Sequence, residues 1–207
     1  MRQASVRECC RSNRAGHHPD FVDDLYALKE TWFIRSRSGR SGMQPTRAAP
    51  AQAPAAIADL NLLDRVDYED AFVVDTAVRR APEEWMRGFL EGAPGWFRAA
   101  WVGVFKTLGA EFEQHGTADQ VLGWKILQNG PVEIAIALDA TVGLKARLIA
   151  LTPTGQAMIV TLVSLDTRRA RALWVAMAPL HRFFAQYLLS RAAAMAIVAS
   201  RPPSPES

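Results

Sequence analysis

Three apolar segments lie between Val132 and Leu165, joined by connections too short to hold a helix, so strands built from them must pair antiparallel. Val132-Glu-Ile-Ala-Ile-Ala-Leu138 alternates with the period of two that marks a half-buried strand. Leu144 to Leu151 follows, then the turn-like Thr152-Pro-Thr-Gly155, then the β-branched run from Ala157 to Leu165. In the first segment Val132, Ile134, Ile136 and Leu138 share one face. Ala135 and Ala137 share the other with Glu133 and Asp139, and alanines there require either a close neighbour or open space.

Two further strands extend the pattern, Val121 to Gln128 before the Asn129-Gly130-Pro131 punctuation and Arg169 to Met177 after the last turn. A strand over Asp67 to Thr76, centred on Phe72, Val73 and Val74, comes earlier in the chain. Two helices follow it. Pro82 with Glu83 and Glu84 opens the first, which stops at Gly92. Pro94 opens the second, whose stripe of Phe97, Ala100, Trp101, Val104, Phe105 and Leu108 runs to Gly109. Pro179 is expected to start a final amphipathic helix carrying Leu180, Phe183, Phe184, Tyr187, Leu188, Arg191 and Met195 until Arg201-Pro-Pro ends it. The expected fold class is therefore α+β, with about five antiparallel strands, one face covered by helix and the other partly wetted.

These elements predict one domain over residues 59–198, with a disordered tail over 199–207. Residues 1–58 are expected to be a flexible tail: Arg35 to Ala58 is rich in Arg, Ser, Gly, Pro and Ala, which bury too little surface to offset their ordering entropy, and only Phe21 to Ile34 has helix-like spacing. Met43 is an alternative translation start. Adjacent Cys9 and Cys10 cannot cross-link the body. With His17 and His18 they lack the spaced arrangement of a structural zinc site, so no metal is expected.

Charge separates the tail from the body. Residues 1–50 hold nine Lys/Arg against five Asp/Glu, leaving 15 against 16 for residues 51–207. A nearly neutral body has no clustered charge for phosphate contacts, so no nucleic-acid partner is expected. The apolar runs, such as Ala157 to Val163 and Ala192 to Ala199, fall far short of the roughly 20 residues that span a bilayer, and no secretory signal opens the chain; a cytoplasmic protein is expected.

The order strand, two short helices, consecutive antiparallel strands and a long terminal helix is similar to the helix-grip fold of START-like (SRPBCC-type) domains. More narrowly, over about residues 62–194, Leu122-Gly-Trp-Lys125, the alternating Val132 to Leu138, Leu144-Lys-Ala-Arg-Leu148, Trp174, Pro179-Leu-His-Arg182 and Tyr187-Leu-Leu-Ser-Arg-Ala-Ala193 resemble the domain-of-unknown-function family 2867. The resemblance implies a curved sheet wrapped around the final helix and a ligand cavity between them. Some relatives extend NAD-binding proteins, but this chain has no GxGxxG turn, so no cofactor carries over.

The candidate ligand-binding residues are Trp124, Arg147, Trp174 and His181. His181, placed in the first turn of the last helix, can act as acid or base, or can satisfy groups at the helix start. Arg182 beside it can clamp an anion or stay solvated. Trp124 and Trp174, on strand segments, can wall an apolar guest or pack the core. Glu133, Asp139 and Arg147 fall on one face of successive strands, as a network within a cavity or as a salt-bridged surface. GxSxG, HExxH and spaced Cys/His motifs are absent from the body. The expected function is binding of a hydrophobic or amphipathic small molecule. An acid/base enzyme of the cyclase or dehydratase type using His181, or a non-catalytic interaction domain, are the alternatives. Oligomeric state is open.

Overall fold

The computed structural model describes residues 47–110, 112 and 119–201. The expected helix over Phe21 to Ile34, the Met43 start, the Cys9, Cys10, His17 and His18 group and the residues beyond Arg201 lie outside these. The described elements are β1 (Ala49–Ala51), α1 (Ala56–Asp59), β2 (Tyr68–Asp75), α2 (Pro82–Leu90), α3 (Gly95–Thr107), β3 (Gln120–Val121), β4 (Trp124–Asn129), β5 (Glu133–Ala140), β6 (Leu144–Leu151), β7 (Gln156–Leu165) and α4 (Arg168–Ala199). The fold is α+β. Its sheet is an open, seven-stranded one in the order β1-β2-β7-β6-β5-β4-β3, with every neighbouring pair antiparallel.

The start signals for the short helices hold. Glu84 reaches back to accept a 2.9 Å hydrogen bond from the Ala81 amide, with Pro82 at the first helical position. Helix α3 ends before Gly109, whose φ of +76° is the left-handed conformation that terminates helices. The expected strand over Val121 to Gln128 is instead a tight hairpin. Leu122 and Gly123 have φ of +51° and +79°, the paired left-handed values of a two-residue turn joining β3 to β4.

Two sequence expectations fail at the last helix. Arg169 to Met177 is not a strand, and Pro179 does not open α4 but lies inside it. The helix begins at Arg168, where the Thr167 hydroxyl accepts from the Ala170 amide at 3.0 Å. Ala, Arg, Leu and Met dominate the first turns and favour helix over sheet. Pro179 removes the amide that would bond to the Val175 carbonyl. Val175 is 75% exposed, so the proline lies where water can take up that acceptor. The resulting 32-residue helix is about 48 Å long.

Register assigns the two faces of the sheet. Tyr68, Asp70, Phe72 and Val74 of β2 align with Val163, Thr161, Ile159 and Ala157 of β7, and further across with Ala146, Leu148 and Ala150 of β6. This face meets α2 and α4; Leu188, Leu189, Ala192 and Ala193 of α4 are fully buried on it. The opposite face is not wetted as expected. Ala135, Ile149, Val160 and Leu162 form a second apolar cluster with Ile57, closed over by Leu60, Leu62 and Leu63.

The expected flexible stretch is therefore corrected from residue 47 onward. Ala49–Ala51 pairs with Ala71–Val73 as the edge strand, and Ala48 is bracketed by α4: its amide donates to Ser190 Oγ at 3.0 Å and its carbonyl accepts from Gln186 Nε2 at 2.7 Å. Short alanine-rich sequence lacks periodicity, but it can bury a sheet face whose own residues are small. Ala135 has its close neighbour.

Candidate functional site

Between the helical face of the sheet and α3 and α4 lies a space of about 30 Å³ walled mostly by rings: Phe97, Trp101 and Phe105 of α3, Trp124 of β4, and Trp174 and Phe184 of α4. Ring centroids lie 5.6 Å apart for Phe97 and Trp101, 4.6 Å for Phe97 and Phe184, and 5.9 Å for Phe105 and Trp124. Helix α3 holds to the body through these rings and, at its C-terminal end, through backbone hydrogen bonds from Thr141 and Val142 to the Gly109 and Leu108 carbonyls at 3.2 and 3.3 Å. Its other side is open, with Trp96 and Val104 48% and 43% exposed, so only part of the predicted stripe is buried.

The polar edge of this space is His181 with Thr161. His181 Nε2 lies 3.1 Å from Thr161 Oγ1 and 3.5 Å from Asp70 Oδ2, and the Tyr68 hydroxyl donates to the same Asp70 oxygen at 2.6 Å. Strand parity brings these groups together, because Tyr68, Asp70 and Thr161 all project from the helical face. Three rings surround the imidazole, with centroids at 5.4 Å for Trp174, 6.3 Å for Tyr68 and 6.5 Å for Trp101.

Burial alone would push the Asp70 carboxyl up. Hydrogen bonding and charge from His181, joined by the Tyr68 and Thr161 hydroxyls, outweigh it and hold the group below the usual carboxylate range. Burial, reinforced by the hydrogen bond to Asp70 and its charge, pushes the Tyr68 phenol up, so Tyr68 remains a donor at neutral pH. The second Asp70 oxygen, Oδ1, has no hydrogen-bond partner among the described residues. Neither do the indole N–H groups of Trp101, Trp124 and Trp174, all from residues that wall the space. Such buried, unmatched groups are rare in folded proteins and cost about 1–3 kcal/mol each.

Of the four residues singled out from the sequence, the structure brings three together. Trp124 and Trp174 are 2% and 4% exposed and face the space, Trp174 from α4 rather than from a strand. His181 is well inside α4 instead of in its first turn, so the helix dipole does not act on it. Arg147 is the exception. It projects from the opposite face, donates to the Leu62 carbonyl at 3.2 Å and pairs with Asp139, whose side chain is 58% exposed. Glu133 accepts from Gln128 Nε2 at 3.1 Å, and Arg182 is exposed. Arg147 supports the 57–63 segment, and none of these charged residues lines the ring-walled space.

Sequence reasoning missed Asp70, Tyr68 and Thr161. The signal was available: once Phe72 and Val74 are taken as inward, Asp70 and Tyr68 must be inward too, and Thr161 sits between inward Ile159 and Val163. Among the described residues no group of three or more His, Cys, Asp or Glu side chains could hold a metal ion, and no helix is long and apolar enough to cross a membrane.

No family model matches the chain, and no curated protein does. A crystal structure of the hypothetical protein jhp0584 from Helicobacter pylori is similar over 76% of this chain and 99% of that one, at 11% identity and a TM-score of 0.40. That likeness is too slight to carry an argument about fold or activity.

Proposed function

We propose that the protein is a helix-grip, START-like binding module that holds a small hydrophobic or amphipathic molecule between the sheet and α4. The observation that carries this reading is the ring-walled space with a single polar edge at His181 and Thr161. A guest with an apolar body and one polar atom matches it. The body lies among Phe97, Trp101 and Trp174, and the polar atom meets the imidazole, whose Nε2 is held by Thr161 and Asp70. A space of about 30 Å³ admits water-sized groups only, whereas ligand sites commonly measure about 300–1,000 Å³. Admission of a guest therefore needs α3 to shift outward, pivoting on its hydrogen-bonded C-terminal end while the Phe97 and Trp101 contacts nearer its start open.

The test is native mass spectrometry and calorimetry with medium-chain alcohols, ketones and fatty acids and with small aromatic alcohols. One class binds saturably at one molecule per chain, and His181→Ala weakens it about tenfold, near 1.4 kcal/mol. Absence of saturable binding across the panel sinks the reading.

A second reading, an acid/base enzyme of the cyclase or dehydratase type, is favoured by the Asp70–His181 pair itself, since a carboxylate that orients an imidazole and stabilises its protonated form is a common acid/base arrangement. Unchanged turnover of an identified substrate in both Asp70→Asn and His181→Ala would remove it.

A further inference from the structure

A second concavity lies on the surface, where the turn joining β6 to β7 meets the loop between β2 and α2. It encloses about 440 Å³, within the range of about 300–1,000 Å³ typical of small-molecule sites. Arg79 and Arg80 line it, and neither makes a hydrogen bond or ion pair with a described residue. Thr152 and Thr154 stand across from them with hydroxyls that are also uncommitted among the described residues. The buried Trp85 supplies part of the wall.

The acidic residues flanking the groove each have a partner, Asp75 on Gln156 at the groove's own edge and the glutamates on α2 and its surroundings. Asp75 accepts from Gln156 Nε2 at 2.9 Å, Glu84 accepts from the Ala81 amide at 2.9 Å, and Glu83 pairs with Arg87 and accepts from Asn129. No Asp or Glu lines the groove, so the two guanidinium charges are not neutralised within it. Two planar guanidinium groups and two hydroxyls supply more donors than one carboxylate can use, and they match the three terminal oxygens of a phosphate.

We propose that this groove binds a small organic phosphate monoester, its phosphate held by Arg79 and Arg80 with the threonine hydroxyls and its flat apolar body laid toward Trp85 and Pro153. The site is independent of the interior space beside His181.

Calorimetry on the full chain at low ionic strength, with phenyl phosphate, inorganic phosphate and benzyl alcohol as probes, tests the proposal. Phenyl phosphate binds at a single saturable site, inorganic phosphate binds more weakly, and benzyl alcohol leaves that site empty. Arg79→Ala/Arg80→Ala weakens phenyl phosphate at least about tenfold, Arg79→Lys/Arg80→Lys weakens it less because lysine loses the bidentate fork, and His181→Ala leaves it unchanged. Circular dichroism and melting confirm that the variants fold, as substitutions in an open groove should allow. Absence of saturable binding of phenyl phosphate, equal affinity in the double alanine variant, or loss of binding in His181→Ala would each overturn the proposal.

Discussion

The Asp70 carboxylate lies 3.5 Å from the His181 imidazole, and both side chains are more than nine-tenths buried. A buried pair of this kind binds β2 to α4 across the interior. Removing one partner leaves the other without compensation, which is more costly than the pair is worth.

Asp70→Asn should therefore lower stability at neutral pH by about 1–3 kcal/mol, the usual cost of leaving buried hydrogen-bonding groups unmatched. Folding holds the Asp70 carboxyl below its ordinary value of 3.8, so its contribution is complete above that value. It is lost as pH falls through the lowered folded value. Urea denaturation of both proteins across an acid series should show the gap between them closing in acid; a gap of constant size contradicts the assignment.

Pro179→Ala restores the amide that α4 lacks and should stabilise the protein by about 1–3 kcal/mol, within the cost of a helix-interior proline. Thermal melting followed by circular dichroism measures it. Destabilisation would mean that the proline's fixed φ serves the packing around Phe183 and Phe184.

Arg147 and His181 should separate cleanly. Arg147→Ala frees the Leu62 carbonyl and loosens the 57–63 segment at about 1–2 kcal/mol of stability, without changing affinity for any interior ligand. His181→Ala should change both. Paired melting and binding measurements on the two variants check this, and a binding defect in Arg147→Ala would place that residue wrongly.

Shortening the chain tests the second apolar cluster. A protein beginning at residue 64 uncovers Ala135, Ile149 and Val160 and should aggregate where the full chain does not. Ile57→Ala alone should cost about 2–4 kcal/mol. Light scattering and melting distinguish the three.

The strands were legible because their physics is local. Period-two alternation and short turns located β5, β6 and β7, and proline with first-turn glutamates located α2. What sequence could not supply was context. Pro179 reads as a start because proline breaks helices, yet here its lost bond falls on the solvent side. Residues 49–63 carry too few large side chains to announce a packed segment, and their burial depends on alanines far away at β5. Asp70 was legible in principle, since the parity of Phe72 and Val74 fixes its direction, but a carboxylate facing the interior becomes visible only with its histidine partner more than a hundred residues later.

Helix α4 is anchored near both ends. Thr167 caps its start and donates to the Val142 carbonyl at 2.6 Å, while Gln186 and Ser190 clasp Ala48 toward its far end. Trp174 and His181 lie between these supports. A beam fixed at two points and loaded in its middle cannot swing like a door, so α4 acts as the rigid jamb of the interior space, and any give in the frame has to come from the start of α3, a helix whose backbone hydrogen bonds to the body lie at its C-terminal end.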